Sequence, residues 1–241
     1  MNNILNILFL QTVCKNSLKL LKSIKSLREV NHLNKGLSTM HNKNSRPLLF
    51  CGPSGSGKST LVKRLMDDFP DHFGFIISHT TRNPRQGEIH GQHYYFTDEN
   101  TMKQAIENGE FVEHAVFGEN IYGTSFKALE DIVKQGKLPI LDIEMQGVKQ
   151  VKQTRLNPWC VFIQPPSMSE LRKRLIKRKT ETEESLERRL NIAREEIMYG
   201  LGAGNFDKII VNDDFEKAYR ELKDFVEDNV LVSKITTEAK H

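Results

Sequence analysis

Cysteine is scarce in this sequence of 241 residues: Cys14, Cys51 and Cys160 are odd in number and far apart. They give neither a disulfide framework nor a zinc-ligand pattern, and a reducing compartment suits them. Long apolar runs are also missing. None approaches the roughly 18–20 residues needed to cross a bilayer, which excludes a membrane-spanning protein. Acidic residues are nearly absent from the first 46 positions, where Glu29 stands alone against Lys15, Lys19, Lys22, Lys25, Arg28, Lys35, Lys43 and Arg46. That stretch carries +7 and the remainder −3 of the net +4. A mildly acidic remainder argues against a general nucleic-acid binder. What is present, 38% hydrophobic and 27% charged residues, fits a soluble chain of one or two domains able to bury a core.

Residues 1–45 read as a leader with little turn chemistry and no internal repeat. Leu20, Leu21, Ile24 and Leu27 fall on one side of a helical wheel, with Lys19, Lys22 and Lys25 mostly on the other. A basic, amphipathic, acid-poor, serine-containing N-terminus has the form of an organelle transit peptide, here mitochondrial. The other reading is a disordered, lysine- and asparagine-rich tail. Met40 offers a second start, so a cytoplasmic product, or both locations, stands as the alternative.

Arg46–Cys51 reads as a short buried strand. Gly52-Pro53-Ser54-Gly55-Ser56-Gly57-Lys58-Ser59-Thr60 then matches G-x-x-x-x-G-K-[ST], and Leu61, Val62, Leu65, Met66 and Phe69 follow at helical spacing. Strand, glycine loop and helix are the context this motif requires. Glycines let successive N–H groups turn toward phosphate oxygens, and the helix N-terminus adds its partial positive charge. Lys58 reaches the β- and γ-phosphates, and the Ser59 hydroxyl suits Mg²⁺. Nucleoside triphosphate binding follows; the phosphoryl acceptor does not.

A strand at Phe73–Ile77 leads into Ser78-His79-Thr80-Thr81-Arg82-Asn83-Pro84-Arg85, whose two arginines suit a second phosphate. Tyr94-Tyr95-Phe96, Gly109–Glu113 and Tyr122-Gly123-Thr124-Ser125 come next. Leu138–Glu144 is a β-run in which Asp142 and Glu144, two apart, project to one face. Trp159–Gln164 is another strand, Ser169–Lys179 a helix whose many cations form a solvated face, and Leu186–Tyr199 a helix carrying Arg188, Arg189 and Arg194. Lys208–Val211 is a strand ahead of Asn212, and a final helix runs from Phe215 to about Val230.

From Pro47 to about Glu227 these motifs, with Leu141–Val148, Thr180–Ser185 and Val211–Asp214, resemble guanylate kinase in content and order. The resemblance implies an α/β fold of the P-loop nucleoside monophosphate kinase type, with a parallel sheet flanked by helices, a small mixed-β GMP-binding part and a helical lid. It divides residues 46–235 into core (46–77, 126–177 and 200–235), GMP-binding part (78–125) and lid (178–199). It implies transfer of the γ-phosphoryl group of ATP to GMP, with dGMP as a further acceptor, in purine nucleotide metabolism. ATP would lie on Gly52–Thr60 with Asn212 at the adenine. Arg82, Arg85, Tyr94 and Tyr122 would hold the GMP phosphate, and Ser78, Glu113 and Thr124 the nucleoside. Asp142 and Glu144 would orient the ribose and the water shell of Mg²⁺. Lys58, Arg178 and Arg189 would neutralise the transferring group. Two departures from the family pattern are Thr124 for Ser and Glu144 for Asp.

The chemistry behind Glu113 is separable from the resemblance. Guanine presents a ring N–H and an exocyclic amine side by side, and one carboxylate accepts both. Adenine lacks that pair. Two alternatives remain at this level: another nucleoside monophosphate kinase sharing the phosphate loop, and a non-catalytic scaffold domain, against which the intact loop and Lys58 stand. The expected partners are small nucleotides, acting on a monomer, with no nucleic acid and no membrane. A fusion of residues 1–45 to a fluorescent reporter is expected to collect in mitochondria; a diffuse cytosolic signal would reject targeting.

Overall fold

Every residue of Leu48–Cys51 is buried, as in a parallel strand covered on both faces. The computed structural model describes residues 46–177 and 182–232; the leader and Arg178 lie outside them. The elements run β1 (Leu48–Cys51), α1 (Lys58–Asp68), β2 (Phe73–Phe75), β3 (His79–Thr80), β4 (Tyr95–Phe96), α2 (Glu99–Glu107), β5 (Phe111–Phe117), β6 (Asn120–Ser125), α3 (Phe126–Lys134), β7 (Leu138–Asp142), α4 (Met145–Val151), β8 (Trp159–Gln164), α5 (Met168–Lys177), α6 (Glu183–Gly200), β9 (Lys208–Val211) and α7 (Phe215–Phe225). A π-helical segment, Val226–Leu231, continues α7.

The larger sheet is wholly parallel, in the order β2-β7-β1-β8-β9. Alternation along β1 divides the core. Leu48 and Phe50 pack with Leu61 and Leu65 of α1 and Leu222 of α7. Leu49 and Cys51 pack with Leu129 of α3, Val148 of α4 and Phe162. Helices thus cover both faces, and the chain leaves central β1 directly into the glycine loop. In such sheets ligands gather beyond the carboxyl ends of the strands. A smaller mixed sheet, β4-β3-β6-β5, stands beside that edge, with Glu113 opposite Thr124 in the antiparallel β5–β6 pair. Gln150 of α4 fastens β5: its Oε1 accepts from the His114 N–H at 3.1 Å and its Nε2 donates to the His114 carbonyl at 2.5 Å.

Helices α5 and α6 have a core of their own, Leu171, Leu175, Leu186, Leu190 and Ala193. The cations of α5 are not all a solvated face, as the sequence suggested. Arg172 bridges to Glu183 at 2.5 Å and to Glu187, and Arg174 donates to the Asn212 carbonyl at 3.0 Å. Helix α6, brought alongside by the apolar stripe, supplies the two carboxylates, and the turn after β9 supplies the carbonyl. Boundaries also move: the second strand ends at Phe75 rather than Ile77, and α6 begins at Glu183 rather than Leu186. Arg46 precedes the strand, donating to the Asn157 carbonyl and stacking 3.6 Å from the centre of the Trp159 ring. The strand from Leu138 stops at Asp142, and the last helix changes pitch at Val226. Among the described residues no helix is long and apolar enough to cross a membrane.

Gly200 ends α6 against the face of Phe162, where a Cβ would lie 2.6 Å from the ring Cδ1. Gly200→Ala is therefore expected to destabilise the fold by about 1–3 kcal/mol through overpacking. A chemical-denaturation midpoint unchanged from wild type would contradict this seating of α6.

Candidate active site

The glycine loop is shaped by backbone geometry that side chains oppose. Gly52, Gly55 and Gly57 have φ of 150°, 94° and 89°. A Cβ on Gly52 would drive into the Ile163 carbonyl, and one on Gly57 into the Asn212 amide. Gly57 is the N-cap of α1, and no side chain caps it, so the first N–H groups of the helix are left for an anion. Gly52, Pro53, Ser54, Gly55, Gly57, Lys58, Ser59 and Thr60 line a cleft of about 400 Å³. Ser56 is fully buried beneath them, and its carbonyl accepts from Asn212 Nδ2 at 2.7 Å.

That bond decides where Asn212 acts. Its side chain is buried and spent on the back of the loop rather than on the lining of the cleft. The loop is braced from outside too: Arg189 of α6 donates to Ser54 Oγ at 3.1 Å and reaches the cleft.

The opposite wall comes from the smaller sheet and its loops. Ser78, Arg85, Tyr94, Glu113 and Tyr122 line the same cleft as Lys58. Arg82 stands just behind them, held by both carboxylate oxygens of Glu88 at 2.9 Å, its guanidinium 5.5 Å from the Tyr94 ring. The Arg82 bonds, with the Arg85 N–H, hold the Glu88 carboxyl down at about 2. Thr124 is buried and hydrogen-bonded to Glu113 rather than open to the cleft. Glu113 is only 4% exposed. Burial pushes its carboxyl up to about 7, Thr124 pulls against that, and the charge of Glu144 adds to it. A raised acid stabilises the fold fully below its ordinary value of 4.5, and that contribution is lost as pH rises through about 7. Gly147 makes room for the side chain, since a Cβ there would lie 2.5 Å from Glu113 Oε2.

Between the two walls stands an acidic floor. Asp142 ends β7 and forms an ion pair with Lys58. Burial alone would lower the lysine, but Asp142 and then Glu144 raise it, so it stays cationic. Glu144 also lines the cleft, though not by sharing a strand face with Asp142 as the two-residue spacing implied. It has left the sheet and caps α4 in extended conformation; the chain turns between them, and tertiary folding brings both carboxylates to one place.

Four residues of note escaped sequence reasoning. His93 lines the cleft from a loop, and Phe117 lines it from β5, where it shares a strand face with Glu113 and Ala115. Glu88 gave one signal, an acid six residues after Arg82. Glu196 gave a clearer one: it interrupts the buried stripe Leu186, Leu190, Ala193, Gly200 of α6 and is itself 3% exposed. Among the described residues no group of three or more histidines, cysteines or acids is arranged to hold a metal.

A glycine cradle and a lysine, facing an arginine, tyrosines and a buried carboxylate across one cleft, fit a site for two nucleotides. The family model for guanylate kinase matches residues 44–229. The chain belongs to the guanylate kinase family. It is 45% identical over 185 residues to the guanylate kinase of Homo sapiens, covering 77% of this chain and 94% of that one. It is 48% identical over 178 residues to that of Schizosaccharomyces pombe, covering 74% and 88%. The crystal structure of guanylate kinase from Anaplasma phagocytophilum superposes with a TM-score of 0.59 at 31% identity, covering 76% of this chain and 85% of that one. The guanylate kinase match thus spans both sheets and the α5–α6 pair.

Lys58→Met removes the ammonium while leaving an unbranched side chain at the helix start, so the fold is expected to survive and turnover to vanish. Turnover retained in a coupled assay would overturn the role of the glycine loop.

Proposed function

We propose that this ATP:GMP phosphotransferase works by laying two nucleotides end to end in the cleft, ATP on the glycine loop and GMP against β5–β6. The observation that carries this is the placement of Lys58, which faces the loop on one side and Asp142 on the other, in the cleft that Glu113 also enters. A GMP phosphate oxygen attacks the γ-phosphorus; a new P–O bond forms, the bond to the β–γ bridging oxygen breaks, and ADP leaves with that electron pair. No side chain need act as nucleophile, so alignment and charge neutralisation carry the rate.

The residue roles follow from position. Arg82, Arg85, Tyr94 and Tyr122 hold the GMP phosphate, with Arg82 fixed behind the others by Glu88. Ser78 and Thr124 support the nucleoside, and Glu113 reads the base. Asp142 and Glu144 face the ribose, which leaves dGMP as a second acceptor. Lys58 and Arg189 stabilise charge on the transferring group, a role the family resemblance also gives to Arg178, outside the described residues. Asn212 serves ATP indirectly, by fixing the Ser56 carbonyl and so the loop. Mg²⁺ fits the donors present: the Ser59 hydroxyl at the cradle, with carboxylates near, suits an ion that keeps most of its water. Bound there with ATP, it would neutralise phosphate charge.

Action as a monomer on small nucleotides is part of this reading. Residues 1–45 would direct the chain to mitochondria, with the Met40 start giving a cytoplasmic form.

The base assignment has a pH signature. Glu113 must be ionised to accept two guanine donors, yet burial pushes its carboxyl up to about 7. GMP binding should therefore release a proton, and affinity should rise as pH passes through 7. Glu113→Gln is expected to weaken GMP by roughly 1–3 kcal/mol. It should also remove the part of the pH slope that phosphate ionisation, common to both proteins, does not explain. Calorimetric titration with GMP and AMP in buffers of different ionisation heat reads both effects. AMP binding as tightly as GMP would refute the base reading.

A further inference from the structure

A carboxyl in the apolar stripe of α6 is costly to bury, since the charged form loses its water. Leu186, Leu190, Ala193 and Gly200 fill the other buried positions of that stripe, and Glu196 sits among them at 3% exposure. Its side chain is hydrogen-bonded to that of Glu144. Two carboxyls form such a bond only when one keeps a proton. The more buried of the two is Glu196, while Glu144 is half-buried and faces the cleft. Burial, followed by the charge of Glu144, pushes Glu196 up to about 9, with Lys58 pulling the other way. The titratable groups around it are Glu144, Lys58 and Cys51, with Asp142 beyond on Lys58.

Glu144 is the longer of the two acids on the cleft floor and has no capping bond to α4 to fix it. A donor from α6 supplies what the local structure does not. The same helix carries Arg189, seven residues earlier and so two turns away on the same side, where it reaches Ser54 of the glycine loop.

We propose that Glu196 is a positioning residue: its carboxyl O–H, carried on α6, donates to the Glu144 carboxylate and holds it toward the GMP half of the cleft. Helix α6 then touches both halves of the reaction, the loop through Arg189 and the acceptor floor through Glu196. The inference rests on Glu144 serving GMP.

The test is steady-state kinetics on the full chain with GMP and ATP varied separately. Glu196→Leu keeps the volume and suits the stripe but has no donor; its KM for GMP should rise about tenfold, the scale of one lost hydrogen bond to a charge, with KM for ATP little changed. Glu196→Gln keeps a donor and should restore a KM for GMP within about twofold of wild type. A Leu variant indistinguishable from wild type, or a Gln variant as impaired as Leu, would overturn the proposal. The Leu substitution in a Glu144→Ala background should add nothing further to KM for GMP; an additive penalty would show that Glu196 acts elsewhere. Should Glu144→Ala by itself leave KM for GMP unchanged, the reading of Glu144 fails and the proposal with it.

Discussion

Around Lys58 the protein has concentrated more negative charge than one ammonium balances, and the arrangement of the cleft depends on how that excess is shared. Asp142 takes the direct ion pair. Glu144 faces the cleft, and Glu196 behind it is raised because burial and the neighbouring carboxylate both oppose its ionisation. Glu113, on the far wall, is raised by the same logic. A site meant for two phosphate-bearing ligands thus has its cations on the loop, the clamp and α6, while its acids sit on the floor and at the base pocket. Phosphates are drawn to one set and the ribose and base donors to the other.

The fold makes that separation possible. A parallel sheet aims the ends of β1 and β7 at the same edge, so the glycine loop and Asp142 meet although they lie far apart in sequence. The smaller sheet hangs beside this edge and is fastened to it by Gln150 on the His114 backbone. Helix α6 closes the arrangement with contacts on both walls. Each element brings a different charge to a cleft in which water would otherwise compete as phosphoryl acceptor.

Much of the site was legible because its chemistry is local. The glycine loop needs consecutive residues, so strand, loop and helix are written in order between Leu48 and Asp68. The phosphate clamp lies within Arg82–Tyr94, and the strands of the large sheet announce themselves as apolar runs. The misreadings were of another kind. Glu144 was placed on a strand because spacing counts residues and not the turn that follows Asp142. Asn212, assigned to the adenine, has its Nδ2 on the Ser56 carbonyl behind the loop. The partners of Arg172 and Arg174 were not legible, because they belong to other elements.

The sequence by itself determined the class of fold, the phosphate-binding loop and the residue types available to discriminate a guanine, since periodicity and short motifs depend on neighbours along the chain. Only the tertiary structure decided which acids keep a proton, which polar groups are used up inside the protein, and which face the cleft. Those outcomes depend on burial and on charges contributed by remote segments, and neither quantity exists until the chain has folded.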